Sequence, residues 1–225
     1  MAAPPPVGSQ PVIARPANKQ LAPRIATAAD VSRLADVLAD AFLDDPVYTW
    51  MLPGTLRLKA RLRAMFTAEM EQYGLPQGTI WTSSGYDGAV VELPPGAWEM
   101  PTSMTGKEAL TWLRAFGLRM TLAARVQRAL EARHLREPHF YLRIVGVRTA
   151  CQGQGMGSAL MQATLQRADA AGLPAYIEAS SQRSAALYER LGFVHTGVLD
   201  LPDGGPPVWP MRRPPAASAQ HRGDG

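Results

Sequence analysis

Apolar positions along the chain repeat with two periods, and the changes of period mark out the elements. A short strand is expected at Arg24 to Ala26. Thr27 then caps a helix, with Asp30 three residues on as a box-like partner. Val31, Leu34, Leu38, Ala41 and Phe42 recur at helical spacing, and Pro46 marks the stop. A second helix is expected from about Thr55 to Tyr73, with Leu58, Leu62, Met65, Phe66 and Met70 on one face. The period then shortens. GTIWTSS and GAVVEL flank Gly85 to Gly88 and read as a β-hairpin, and PPGAWEMP reads as a loop. Two more helices fit at about 105–119 and 121–134.

The last third is denser. HFYLRIVGV is a strand rich in β-branched and aromatic residues, and a glycine-rich turn follows it. Residues 155–171 form a helix with Leu160, Met161, Thr164, Leu165 and Ala168 in one stripe, ended by Gly172 and Pro174. AYIEAS is a strand, SAALYERLG a short helix, and FVHTGVLDL with PPVWPMR a closing pair of strands. Strand, helix and strand connected this way imply a parallel pair at the sheet centre. The flanking hairpins imply a mixed sheet. Residues 1–22, rich in proline and alanine, and residues 215–225 read as disordered tails around one α/β domain at 23–214.

Composition narrows the chemistry. The chain has 225 residues, 46% of them apolar, so a sizeable core is available. A single cysteine, Cys151, excludes a disulfide framework and a four-cysteine zinc site. The four histidines, His134, His139, His195 and His221, contain no HExxH pair, so no metal is expected. No apolar run reaches the ~18 residues of a membrane span, and prolines interrupt the N-terminus where a signal peptide would be apolar. A cytoplasmic location is the default expectation, without a membrane partner. Net charge is +4, but the arginines are dispersed, so no nucleic-acid partner is expected. A monomer or homodimer fits equally.

The turn is Gln152-Gly153-Gln154-Gly155-Met156-Gly157-Ser158. Between a strand and a helix, such a turn presents unpaired N–H groups at the positive end of a helix dipole, and glycines let a phosphate approach. The alternative is a plain flexible connection. A P-loop needs a lysine that is absent here. Gly153, Gly155 and Ser158, with Glu178 further on, nearly fit a dinucleotide fingerprint, but Gly153 lies five residues beyond Arg148, too late for its tight turn.

Gln152-x-x-Gly155-x-Gly157 after a strand ending Gly146-Val147 resembles the acetyl-CoA motif of the GCN5-related N-acetyltransferase (GNAT) family. AYIEASSQRSAALYERLGF resembles that family's second signature, ending in Leu187-Tyr188-Glu189-Arg190-Leu191-Gly192-Phe193. The specific resemblance covers residues 137–215. It implies a GNAT-type mixed central β-sheet with flanking helices and a splayed parallel strand pair. It also implies acetyl-CoA as cosubstrate, without a metal, and direct acetyl transfer to a primary amine, expected to belong to a small-molecule acceptor. The pantetheine arm would pair with the backbone of Val145, Gly146 and Val147, where one N–H could stabilise the oxyanion. Gly153, Gln154, Gly155, Met156, Gly157 and Ser158 would cradle the pyrophosphate, with Gln152 beside them. Many members carry proline where Thr149 stands, and an asparagine in the turn that here holds Ser181 and Ser184. Ser184 would contact the pantetheine or cap the helix.

Tyr188 would then be the general acid at the CoA sulfur, against ordinary packing. A glutamate inside a short apolar strand is costly unless paired or functional, so Glu178 is either the general base or a structural carboxylate bonded to arginine. Cys151 beside the turn suggests an acyl relay, but nothing pairs it with a base, and direct transfer needs no thiol. Trp50, Trp81 and Trp98, with Tyr48, are candidates to line an acceptor pocket, or else belong to the core. Two other classes stay open: an acyl-CoA-binding sensor without turnover, and a dinucleotide-dependent oxidoreductase. A protein N-terminus or lysine is the alternative acceptor.

Overall fold

The computed structural model describes residues 22–52, 57–99 and 105–216. The expected tails fall outside these residues, apart from Ala22, Pro215 and Ala216. In chain order the elements are β1 (Pro23–Ile25), α1 (Val31–Ala41), α2 (Pro46–Met51), α3 (Leu58–Glu69), a π-helical turn (Met70–Gly74), α4 (Leu75–Gln77), β2 (Thr79–Ser83) and β3 (Gly88–Leu93). Then come α5 (Gly106–Phe116), α6 (Met120–Arg133), β4 (Phe140–Val147), α7 (Met156–Ala171), β5 (Ala175–Ala179), α8 (Gln182–Arg190), β6 (Val194–His195), β7 (Leu199–Asp200) and β8 (Pro207–Arg213). No described helix is long and apolar enough to cross a membrane.

The N-terminal box forms as expected. The Asp30 carboxylate accepts from the Thr27 N–H at 2.8 Å, and also from Arg24 and the Tyr86 hydroxyl. These partners hold the Asp30 carboxyl far below the usual carboxylate range. Pro46 corrects the sequence reading. The first helix ends at Ala41 without it, and Pro46 instead opens α2, where a missing N–H costs nothing. Asp45 caps that helix, its Oδ1 accepting from the N–H groups of Val47 (2.9 Å) and Tyr48 (3.2 Å). The second helix is also shorter than expected. It is α-helical only to Glu69 and widens into the π-turn through Tyr73; Thr55, its expected start, lies outside the described residues.

The sheet order is β1-β2-β3-β4-β5-β8-β6, with β7 against β8. All pairings are antiparallel except β4 with β5. One face packs on α7 and α8 through Leu142, Leu160, Leu165, Ile177 and Tyr188. The other packs on α1, α3, α5 and α6 through Leu34, Leu38, Phe66, Tyr141, Ile144 and Tyr176.

A bulge in β4 decides which side chains face which layer. Val91 pairs with Ile144, but Glu92 pairs with Leu142, so Arg143 is the extra residue. A one-residue insertion flips the alternation of everything beyond it. Gly146, rather than Val147, therefore faces α1. A Cβ there would lie 2.6 Å from Leu38 and 2.9 Å from Phe42, so this glycine is required by the approach of α1. Arg143 turns toward α3, where it donates to Glu69 at 2.5 and 2.9 Å and lies 4.7 Å over the Tyr73 ring. Both charges are largely buried. The neighbouring carboxylate raises the Arg143 pKa against the lowering effect of burial.

Removing one member of a buried pair strands the other charge. Arg143→Met is expected to destabilise the fold by about 3–5 kcal/mol. Arg143→Met combined with Glu69→Leu should recover most of that loss, since a buried pair can often be exchanged for apolar side chains at little net cost. Urea unfolding of the three proteins checks this. A single-variant loss below about 1 kcal/mol would show that the pair does not hold the bulge.

Candidate active site

β4 and β5 pair only at Phe140 with Ala175 and Tyr141 with Tyr176. Beyond these two residues the strands part. Each keeps its outer neighbour: β4 stays on β3 through Val147, and β5 stays on β8 through Ala179. The inner edges at Val145, Gly146 and Val147, and at Glu178 and Ala179, therefore lack a strand partner. A wedge-shaped cleft follows, lined by backbone that must bond to something else when buried. Its upper end is bridged by side chains. Asp45 at the start of α2 accepts from the Ser180 hydroxyl at 2.5 Å. Burial pushes the Asp45 carboxyl up, opposed by the bonds from Ser180, Tyr48 and Val47.

The glycine turn sits on the α7 side of this cleft. Gly153 and Gly155 both adopt left-handed backbone, at φ +75° and +83°, and open space surrounds the place where each would carry a Cβ. Gly155 is the N-cap of α7, whose first turn holds no acidic side chain to compete for its free N–H groups. Gly157 and Ser158 lie in that first turn, and the Met156 side chain is core. The two glutamines bond back to the chain before them. Gln152 donates to the Val147 carbonyl at 3.0 Å and ties the turn to the end of β4, and Gln154 donates to the Ala150 carbonyl at 3.3 Å. Ser184 caps α8 together with Ser181. Its N–H donates to Ser181 Oγ (3.2 Å) and its hydroxyl to the Ser181 carbonyl (2.8 Å).

Glu178 stands on the sheet face opposite α7 and α8. This placement counts against the dinucleotide reading, which needs the acid beside the glycine turn. It is no arginine-bonded structural carboxylate either. Its Oε1 is buried and makes no hydrogen bond among the described residues; His134 Nδ1 lies 3.3 Å away without hydrogen-bond alignment. The phenols of Tyr141 and Tyr176 lie beside the carboxylate. Burial raises both pKa values, and the nearby charge raises them further. The Tyr176 hydroxyl is likewise buried without a hydrogen-bond partner.

Tyr188 is buried on the α8 side against Phe193, with ring centroids 6.1 Å apart. Burial, and secondarily the Asp45 carboxylate, push its pKa well above that of a free phenol. It holds its proton at neutral pH. The Cys151 thiol donates to Asp87 at 3.5 Å, and its pKa is raised, so it is not an activated nucleophile.

The aromatic candidates separate. Trp81 lies on the α7 face, its indole N–H donating to Glu92 at 2.9 Å, and takes no part in the Glu178 side of the cleft. Trp50 packs on the β7–β8 turn, where a Cβ on Gly205 would lie 2.7 Å from its ring. Tyr48 packs edge-on to Phe42 and Phe66. Trp98 alone reaches the Glu178 cluster, stacked on His134 with ring centroids 4.2 Å apart. Sequence reasoning missed Asp45, Ser180 and His134. Only the N-cap pattern Asp45-Pro46 carried any signal, and it was masked by reading Pro46 as a stop.

Residues 121–193 match the acetyltransferase (GNAT) family. An uncharacterised N-acetyltransferase of Schizosaccharomyces pombe is 26% identical over 189 residues, which cover 77% of this chain and 74% of that protein. The mycothiol acetyltransferase of Streptomyces scabiei is 44% identical over 54 residues, 23% of this chain and 18% of that one. A Corynebacterium glutamicum crystal structure, described as histone acetyltransferase HPA2 and related acetyltransferase, superposes with a TM-score of 0.63 at 28% identity, covering 88% of this chain and 98% of its own. The C-terminal condensation domain of Ebony, at 9% identity and a TM-score of 0.58 over 85% of this chain and 97% of its own, shares the fold alone. The matched segment runs from α6 through β4, α7 and β5 to α8, and together with these relatives it supports an acetyl-CoA-dependent acetyltransferase.

Proposed function

We propose that the protein moves acetyl from acetyl-CoA directly to the primary amine of a small molecule, with an aminonucleoside-like compound as the first acceptor to test. The observation that carries this reading is the buried, hydrogen-bond-free Glu178 Oε1 at the parting of β4 and β5. Such an oxygen is costly unless a ligand group completes it. The acceptor class rests on sequence likeness to puromycin N-acetyltransferase: the flow EP-x-x-(Y/F)L-x-x-VGV, QG-x-G-x-GSA, YERLGF and a closing W-x-M-x-R-x-P. A lysine or protein N-terminus is the second reading, favoured by the histone acetyltransferase description of the Corynebacterium relative.

The open space at Gly153 and Gly155 and the unpaired inner edge of β4 fit acetyl-CoA. Bound there, it supplies an acetyl thioester. The N–H groups from Gly153 to Ser158, including those of Gln154, Gly155, Met156 and Gly157, would hold the pyrophosphate. The backbone of Val145, Gly146 and Val147 would hold the pantetheine as an added strand. Gln152 and Ser184, already bonded within the turn and the cap, would support these segments rather than touch the ligand. An amine is mostly ammonium at pH 7, and Glu178 would take its proton before attack. Tyr188 would deliver a proton to the departing sulfur, an uphill transfer given its raised pKa.

Gly155→Glu should abolish acetyl-CoA binding in calorimetry, by placing a Cβ and a negative charge in the cradle. Gly155→Asn tolerates the left-handed backbone without adding charge and controls for strain. Wild-type affinity in a folded glutamate variant would rule out this pyrophosphate site.

Glu178→Gln should lower turnover by about 10²–10⁴ with acetyl-CoA affinity nearly unchanged. A free-thiol release assay over a panel of amines checks it and reports the acceptor class. Wild-type turnover would make another group, or solvent, the base. Acetyl-CoA binding without thiol release on any amine would favour a sensor.

Tyr188→Phe keeps the ring and removes the hydroxyl. It should cost about 10- to 10³-fold in turnover and less than about 1 kcal/mol in acetyl-CoA binding. Equal turnover, with chemistry limiting, would leave Tyr188 as a packing residue.

A further inference from the structure

His134 ends α6, and its ring lies inside an aromatic enclosure. Trp98 stacks on it at 4.2 Å between centroids and 21° between planes, and Tyr141 and Tyr176 meet it edge-on at 4.7 and 4.6 Å. Both ring nitrogens have polar neighbours. Nε2 lies 3.0 Å from His139 Nε2, and Nδ1 lies 3.3 Å from Glu178 Oε1. His139 Nδ1 lies 2.7 Å from the Glu137 carbonyl. Two buried histidines in series with a buried carboxylate serve no packing purpose that apolar side chains would not serve better.

The carbonyl at the far end dictates the protons. A carbonyl only accepts, so His139 Nδ1 carries a hydrogen. Burial is the largest influence on His139 and lowers its pKa, so the ring is neutral and its Nε2 is a lone pair. His134 Nε2 must then carry a hydrogen to donate across the 3.0 Å contact. What remains is His134 Nδ1, which without a second proton turns a lone pair toward the Glu178 oxygen. Two acceptors facing each other repel, in keeping with a contact close enough for an ion pair but not aligned as a hydrogen bond. A proton gained at Glu178 turns that repulsion into a hydrogen bond.

We propose that His134 stores the proton Glu178 removes from the acceptor amine, and that His139 is a positioning residue fixing the His134 tautomer. The proposal rests on Glu178 being the base. The step balances as follows. An N–H bond of the ammonium breaks and its electron pair stays on nitrogen, giving the attacking amine. The proton bonds to the Glu178 carboxylate and then passes to His134 Nδ1, leaving imidazolium beside carboxylate. The Trp98 ring stacked on His134 offers a face to the imidazolium. The proton does not continue to His139, whose buried ring disfavours charge. It leaves through a cleft of about 230 Å³ lined by His134, Tyr176, Thr196, Val198 and Pro210.

Other charged and titratable groups frame this pair. Glu178 and Tyr176 face His134 from β5. His139 and Tyr141 face it from β4 and the turn before it. Arg133 and Arg136 flank it on its own stretch of chain, with Arg136 lying 5.3 Å over the Trp98 ring. The phenols of Tyr141 and Tyr176 stay protonated across the working range, because burial and Glu178 raise both. That leaves the His134 ring as the proton acceptor facing Glu178.

The test is ¹⁵N NMR of the histidine rings across pH, in wild type and in Glu178→Gln, alongside pH–rate profiles of wild type and His134→Gln. An imidazole releases its proton at higher pH than a carboxylate does, with ordinary values of about 6.5 and about 4. Losing His134 should therefore move the acid limb of kcat/KM to lower pH and lower kcat by about 10-fold. KM for acetyl-CoA should stay the same. In the spectra, His139 should remain the neutral Nδ1–H tautomer throughout, and the His134 midpoint should fall in Glu178→Gln. An unmoved acid limb in a folded His134→Gln protein would overturn the storage role. So would a His134 midpoint indifferent to Glu178→Gln, a result read without any turnover. Loss of turnover in Glu178→Gln with an indifferent His134 would sink the relay and leave the base in place. Full turnover in Glu178→Gln would instead sink the base, and the storage role with it.

Discussion

The site depends on a pairing that stops early. Parallel strands are stabilised by a continuous ladder, yet β4 and β5 share only two paired residues before they part. The parted edges hold the N–H and C=O groups that a parallel neighbour would otherwise satisfy. Those groups are costly when left bare in an interior, so parted edges of this kind call for a partner. The flanking ladders make the divergence tolerable. Each strand stays fully bonded on its outer side, so the cleft is opened at the cost of inner-edge bonds alone.

The bulge at Arg143 serves the same end. It flips the alternation of β4 just past the last residue pairing with β5, which turns Gly146 toward α1 and lets that helix close over the strand. The helix in turn leads to Asp45, whose carboxylate reaches Ser180 across the parted ends. Arg143, displaced from the regular pattern, needs a buried partner, and Glu69 supplies it just before the chain widens into the π-turn. Two departures from regular geometry, the bulge and the π-turn, meet at one ion pair. Neither departure is written in the local hydrophobic pattern, because a bulge depends on what the neighbouring strand does.

Most of the elements were legible. Long periodic stretches such as 31–42 and 156–171, and the hairpin around Gly85 to Gly88, declare themselves through spacing and turn residues alone. The glycine turn was legible because left-handed backbone favours glycine, and Gly153 and Gly155 both need it. The meaning of Pro46 was not, because a proline suits the first turn of a helix as well as the end of one. The histidines were illegible for a different reason. His134 and His139 are five residues apart across a helix end, a spacing that signals nothing in sequence. Their contact at 3.0 Å exists only because α6 ends where β4 is about to begin.

The glutamates show where sequence reasoning needs the structure most. Glu92 and Glu178 each interrupt a short apolar strand, and the cost of burying an unpaired carboxylate flags both equally. In three dimensions they differ completely. Glu92 is fully buried and satisfied: Trp81 donates to one oxygen at 2.9 Å and Arg167 to the other at 2.6 Å. Those two partners lie on a neighbouring strand and on α7, so the carboxylate ties the sheet to the helix. Glu178 has an oxygen just as hidden and no hydrogen bond to it, with a histidine nitrogen and two raised phenols around it. A carboxylate whose bonds are complete is held in one state. One whose bonds are incomplete gains by taking up a proton or a ligand, so the capacity for chemistry lies with the residue the fold leaves unsatisfied.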